Sequence, residues 1–183
     1  MRTALALTLL LTAASGQAQS TPPLPEADPA DVATTEAIVA AAYASISGPA
    51  DEARDWDRFR SLFLPDARLV PTGPLPDGSW SVQTFSPQEY ADIAAAHFRD
   101  APIYQGKGFY EIEAAHRTER FGNIAHVWST YESRLDPSEE PFMRGINTIQ
   151  LVHDGERWWI ATILWQHESE AAPIPDAYLS DGD

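Results

Sequence analysis

The chain has 183 residues, a formal net charge of −15 and no cysteine. Its length suits a single domain, and the lack of cysteine excludes disulfides, thiolate metal sites and a lipid anchor on an N-terminal cysteine. So acidic a surface repels nucleic acid and anionic membranes, and neither is expected as a partner.

The chain opens with Met1-Arg2, a positive start. Ala4 to Ala14 is an apolar and small run broken by Thr8 and Thr12, and Gly16-Gln17-Ala18 offers small residues where a signal peptidase reads. This predicts a secretory signal peptide over 1–18 and a periplasmic or secreted protein. The run is too short for a membrane span, which needs ~20 apolar residues. Residues 19–30 are rich in proline and poor in large apolar side chains, which predicts a disordered linker. The domain proper is expected over 31–168. An acidic, proline-broken tail over 169–183 follows, in which Ile174, Tyr178 and Leu179 offer a weak docking surface.

Within the domain the period is helical first. Val32, Ile38, Val39, Ala42, Tyr43 and Ile46 recur at helical spacing until Gly48-Pro49. Trp56, Phe59, Leu62 and Phe63 form the stripe of a shorter helix, broken by Pro65-Asp66, and 67–70 reads as a strand. The stretch 71–85 reads as a loop that presents Trp80. Ser86, Pro87 and Glu89 spell the start of a third helix with a reciprocal cap. From there on the pattern is extended: 108–120, 123–135, 143–153 and 157–167 are predicted strands. Phe121-Gly122-Asn123 and His153-Asp154-Gly155 are the expected hairpin turns. Helices followed by a meander predict an α+β fold with the helices on one sheet face. The last strand is apolar on both alternation faces, with Trp158, Ile160 and Leu164 on one and Trp159, Ile163 and Trp165 on the other. Both faces therefore need cover, which suggests a pocket inside and a subunit interface outside.

The same order, with Leu62-Phe63-Leu64-Pro65-Asp66-Ala67, Phe121-Gly122-Asn123-Ile124-Ala125-His126-Val127, Ser129-Thr130-Tyr131-Glu132 and Trp158-Trp159-Ile160, resembles the nuclear transport factor 2-like superfamily, and within it the SnoaL-like bacterial members. The resemblance implies a cone: a strongly curved antiparallel sheet wrapped around three N-terminal helices, with a cavity at its open end. It also implies a frequent dimer through the outer sheet face, here with Trp128, Trp159 and Trp165 near the centre. Ketosteroid isomerases, dehydratases, cyclases and non-catalytic binding domains share that fold, so the fold does not choose among them.

Alternation then assigns faces. Tyr110, Ile112, Ala114 and His116 are expected inward, as are Ala125, Val127, Ser129 and Tyr131, then Gly145, Asn147, Ile149 and Leu151, and last Trp158, Ile160, Thr162, Leu164 and Gln166. A single bulge would invert any of these sets. The expected ligand contacts are Tyr43, Tyr131, Asn147, Thr162 and Gln166, with Trp80 as a lid. His116 is the general acid/base candidate because it titrates nearest neutrality. Its plain alternative is a histidine satisfied by a neighbour in the core or at the sheet edge, and that of Tyr131 and Asn147 is a buried hydrogen bond pinning sheet to helices. Glu111, Glu113 and Glu132 fall on the expected outward faces. The five histidines have no metal-ligand spacing and no phosphate loop is present, so neither metal nor cofactor is expected. Three readings remain: a binder of a small apolar or amphipathic molecule, an isomerase, dehydratase or cyclase using His116 with Tyr131 or Tyr43, and an interaction module with a filled cavity.

Overall fold

The computed structural model describes residues 23–73, 78–80 and 82–181. The expected signal peptide and residues 74–77 of the long loop lie outside them. Within the proline-rich stretch, Asp28 caps a 3-10 turn over Pro29–Val32, and Ala27 joins the core. The linker expectation therefore needs correcting for this part: a small apolar side chain and a cap are enough to seat it.

Helix α1 spans Thr35–Ile46, with Thr34 as its N-cap. It starts later than the periodicity suggests because the extended backbone at Thr34 separates it from the 3-10 turn. Ile38, Val39, Ala41 and Ile46 are all buried, on more than one helix face, because the sheet curls around this helix. Each large aliphatic side chain so buried contributes roughly 1.5–3 kcal/mol. Helix α2 (Trp56–Ser61) is capped by Asp55. Strand β1 (Phe63–Thr72) follows directly and is longer than expected, with an irregularity between Phe63 and Arg68 that absorbs Pro65. Helix α3 spans Pro87–Asp100 and starts on the expected reciprocal cap between Ser86 and Glu89. We expect Ser86→Ala to cost about 1 kcal/mol, seen as a lower urea midpoint at unchanged slope.

Four strands complete the chain: β2 (Tyr110–Phe121), β3 (Ile124–Arg134), β4 (Met143–His153) and β5 (Trp158–His167). Gly122 and Gly155 take the positive φ that their hairpin turns need. The sheet order is β1-β5-β4-β3-β2. All neighbours are antiparallel except β1, which runs parallel to β5. Helices first and a curled, mostly antiparallel sheet after them make the α+β class expected from the sequence.

Two bulges decide which side chains face the helices. In β2, Glu113 pairs with Tyr131 and Ala115 with Thr130, so Ala114 is an extra residue. In β5, Ile160 pairs with Leu151 and Thr162 with Gln150, so Ala161 is extra. A bulge reverses alternation on one side of itself. The expected inward sets of β3 and β4 hold: Val127, Ser129, Tyr131, Asn147, Ile149 and Leu151 are all buried.

The C-terminal segment folds back over the outer sheet face. Ile174 is buried, the Tyr178 ring lies 5.2 Å from that of Trp128, and Thr130 Oγ1 donates to the Tyr178 carbonyl at 2.6 Å. The expected tail is thus docked through two of the three side chains named for it, while Leu179 stays exposed.

Candidate functional site

A cavity of about 350 Å³ opens between α1, α3 and the concave sheet face. That is the size of a small-molecule site. Its walls are largely aromatic and aliphatic. Phe59 of α2 packs on Tyr90 of α3 at 5.4 Å, and Tyr90 packs edge-on against Trp165 of β5 at 5.7 Å. Phe98 and Phe109 close a second side at 4.8 Å. Exposed Ile93, His97 and His167 mark the opening.

Into this wall come a few polar groups, each from a different element. Tyr43 comes from α1, Glu111 from β2, Tyr131 from β3, Asn147 from β4 and His167 from β5. Asn147 Nδ2 donates to the Tyr43 hydroxyl at 2.9 Å, and that hydroxyl lies 2.6 Å from Ser129 Oγ. Burial, reinforced by the charge of Glu111, raises the pKa of Tyr43 and keeps it a neutral phenol. Tyr131, raised in the same way, has its hydroxyl 2.6 Å from His167 Nδ1. Desolvation lowers the pKa of His167. The residue is exposed as a whole, but the Nδ1 edge is turned inward onto Tyr131.

Glu111 is the chemically distinctive member. It lies among apolar walls, and its one side-chain hydrogen bond among the described residues comes from Ser133 Oγ to Oε2 at 2.7 Å. Burial pushes its carboxyl up to about 7, with the Ser133 bond pulling the other way. Such a group is present both as acid and as base at neutral pH.

The expected contacts are partly brought together. Tyr43, Tyr131 and Asn147 line the cavity; Thr162, Gln166, Trp80 and His116 do not. The Ala161 bulge turns Thr162 and Gln166 away. Thr162 Oγ1 donates to the Arg68 carbonyl at 2.7 Å, and Gln166 Oε1 meets Thr72 Oγ1 at 3.4 Å. The same bulge points Trp165 inward, away from the outer face assigned to it. Trp80 is 64% exposed. Its loop returns to the free edge of β1, where Phe85 pairs with Leu69, and Trp80 is not among the residues that line the cavity. We expect Trp80→Ala to change stability by less than about 0.5 kcal/mol and to leave Nile red binding in the cavity unchanged.

His116 returns to the inward side after the Ala114 bulge, opposite Ser129, but β2 is the edge strand. Its Nδ1 sits 3.3 Å from Glu113 Oε2 and 3.6 Å from Asp181 Oδ1. The bulge also overturns the outward assignment of Glu111 and Glu113. The inversion shows in burial: Ile112 is 48% exposed while Glu111 lines the cavity. Nothing in the alternation of Tyr110 to His116 signals it, since two faces of mixed character look alike until the bulge is placed.

Among the described residues no group of three or more histidine, aspartate or glutamate side chains is placed to hold a metal ion, and no helix is long and apolar enough to cross a membrane.

Fold and cavity together define a cystatin-like α+β architecture with a ligand-sized hollow. A Nostoc punctiforme protein of unknown function with a cystatin-like fold superposes with a TM-score of 0.53 at 10% identity, covering 73% of this chain and 87% of that one. A nuclear transport factor 2-like protein of unknown function from Shewanella baltica gives 0.42 at 14% identity over 63% and 80%. A candidate ketosteroid isomerase from Kribbella flavida gives 0.42 at 16% over 81% and 87%. At such an identity the likeness to the Nostoc punctiforme protein speaks for the fold alone. No family model and no curated protein matches the chain.

Proposed function

We propose that the cavity takes a small, mostly apolar molecule bearing a carbonyl or hydroxyl group, and that Glu111 exchanges a proton with it. The reaction class is that of an isomerase, dehydratase or cyclase, as in SnoaL-like proteins. The observation that carries this reading is a carboxyl in an apolar hollow with a single side-chain hydrogen-bond partner among the described residues, Ser133. As a base Glu111 acts in its ionised form, so activity rises with pH through about 7. His116, the sequence-based candidate, is outside the cavity, and Glu111 replaces it as acid/base.

A substrate-independent test is hydrogen–deuterium exchange at the α-carbon of 2-tetralone, followed by NMR. We expect the wild-type protein to accelerate exchange with a midpoint near pH 7, and Glu111→Gln to lose at least about tenfold of that rate. Equal rates in the two proteins would remove the enzyme reading. One observation favours a second reading, binding without catalysis: Tyr43 and Tyr131 already have protein partners. Retained Nile red binding with no exchange would select it.

Export by a cleaved signal peptide and a homodimer through the outer sheet face complete the proposal. Trp128 and Trp159 supply apolar surface there, with Trp159 stacked under Arg157 at 3.7 Å. Any such dimer also meets the docked C-terminal segment. Light scattering at micromolar concentration checks it, and a stable monomer would remove it.

A further inference from the structure

A chain of hydrogen bonds leaves the cavity between α1 and β3 and ends at the edge of the sheet. Asn147 Nδ2 donates to the Tyr43 hydroxyl, the Tyr43 and Ser129 hydroxyls lie 2.6 Å apart, Ser129 Oγ donates to Glu113 Oε1 at 2.5 Å, and Glu113 Oε2 faces His116 Nδ1. Asn147 and Tyr43 line the cavity, whereas Ser129, Glu113 and His116 do not. The reaction proposed above uses neither Glu113 nor Ser129.

The polarity of this chain follows from counting hydrogens. A phenol and a serine hydroxyl each have one proton to give, and each oxygen accepts up to two bonds. A carboxylate only accepts. While Glu113 is ionised, Ser129 must give its proton to Glu113 and so must accept from Tyr43. The Tyr43 proton is then committed to Ser129, one acceptor position is filled by Asn147, and what remains toward the cavity is a lone pair. When Glu113 is protonated it can donate to Ser129, Ser129 can donate to Tyr43, and both acceptor positions of Tyr43 are filled. The Tyr43 proton is then left to point at the ligand. No bond is made or broken beyond the protonation of Glu113; the hydroxyls rotate.

We propose that Glu113, although outside the cavity, sets through Ser129 whether Tyr43 accepts from or donates to the bound molecule, and so selects between hydroxyl-bearing and carbonyl-bearing ligands. The inference rests on reading the cavity as a ligand site. It gives that site a means of holding both forms of a keto–enol pair, since the ketone needs a donor and the enol an acceptor. Glu113 and Ser129 are positioning residues, acting through Tyr43.

The groups that face Glu113 are known. His116 lies on its own strand, Glu36 on α1 and Asp181 on the C-terminal segment, besides Ser129 on β3. Burial raises its pKa, while Ser129 and His116 oppose the rise and the two other acids add to it. It therefore takes up a proton at a higher pH than an ordinary carboxyl. His116, with its side chain 34% exposed, connects the chain to solvent.

The experiment has a part that needs no ligand. Tyrosine labelled at 13Cζ and glutamate at 13Cδ are followed by NMR through a pH titration of the empty protein, with Tyr43→Phe assigning the resonance. We expect Tyr43 to move with the midpoint of Glu113, and to stop moving in Ser129→Ala. In His116→Gln, which removes a neighbour that favours the ionised form, both midpoints should rise together. Glu113→Gln serves the same purpose should Ser129→Ala fail to fold. A Tyr43 signal that stays still while Glu113 titrates, or that keeps moving in Ser129→Ala, overturns the proposal.

The second part compares binding of 2-naphthol and 2-acetonaphthone by calorimetry. One hydrogen bond gained or lost predicts that naphthol gains about tenfold on acetonaphthone as pH rises through the Glu113 midpoint. Measured in the Glu111→Gln background, which removes the titration of the cavity's own carboxyl, Ser129→Ala should abolish that change. If Glu111→Gln alone abolishes it, Glu111 is the selector and the proposal is wrong. If neither probe binds, the ligand-site reading fails, and the first part still decides the relay.

Discussion

Stability of the wild-type protein should fall as pH rises from about 4.5 to about 7, and Glu111→Gln should remove the part of that fall that Glu111 causes. Glu111 is raised from an ordinary 4.5 to about 7 in the folded protein, chiefly by burial. Between those values the folded state holds a proton that the unfolded state has released. Its contribution is therefore complete below the unfolded value and is lost as pH climbs through the folded one. The loss is on the order of 3 kcal/mol for a shift of this size. Urea unfolding at a series of pH values, wild type against Glu111→Gln, reads the difference directly. The variant should match the wild type near pH 4 and exceed it near pH 8. Parallel curves across the whole range would mean that the carboxylate is solvated and that the cavity is not the apolar hollow described. The same experiment bears on the proposed function, because a proton-exchanging carboxyl in an apolar hollow would cost stability.

The helices were legible because their signals are local. Ser86, Pro87 and Glu89 mark the start of α3 within four residues, and Gly122 marks the β2–β3 turn by a φ that other residues rarely adopt. Strand alternation carried β3 and β4 correctly, since both run in unbroken register with each other. It failed on the two strands with bulges. Ala114 and Ala161 are small, neutral residues that fit either face, so no side chain announces the extra position. Each bulge moved a whole set: Thr162 and Gln166 out, Trp165 and His167 in, Glu111 and Glu113 in. The candidate site was therefore half readable. Tyr43, Tyr131 and Asn147 sit on elements of intact period, whereas Glu111 depends on a register that is fixed by pairing across the sheet rather than by local sequence.

Gly145→Ala should destabilise the protein by about 1–3 kcal/mol, at the upper end of that range. Gly145 lies on β4 between Tyr131 of β3 and His167 of β5. A Cβ there would stand 2.3 Å from the Tyr131 hydroxyl oxygen and 2.3 Å from the Gln166 carbonyl oxygen. The tyrosine can swing, but the carbonyl belongs to the backbone of β5 and can move only with its strand. The bare backbone at Gly145 is what lets the Tyr131 ring cross the sheet and bring its hydroxyl to His167 Nδ1. Tyr131→Phe, which loses that bond but keeps the ring, should cost only about 1 kcal/mol. The two variants separate packing from hydrogen bonding, and the His167 ring reports on both. Desolvation holds its pKa below the ordinary histidine value. Displacing Tyr131 opens that edge to water, so NMR titration of His167 should move back up in Gly145→Ala. A wild-type urea midpoint together with an unchanged His167 titration would show that Tyr131 does not lie over Gly145, and the cavity wall built from these three residues would have to be redrawn.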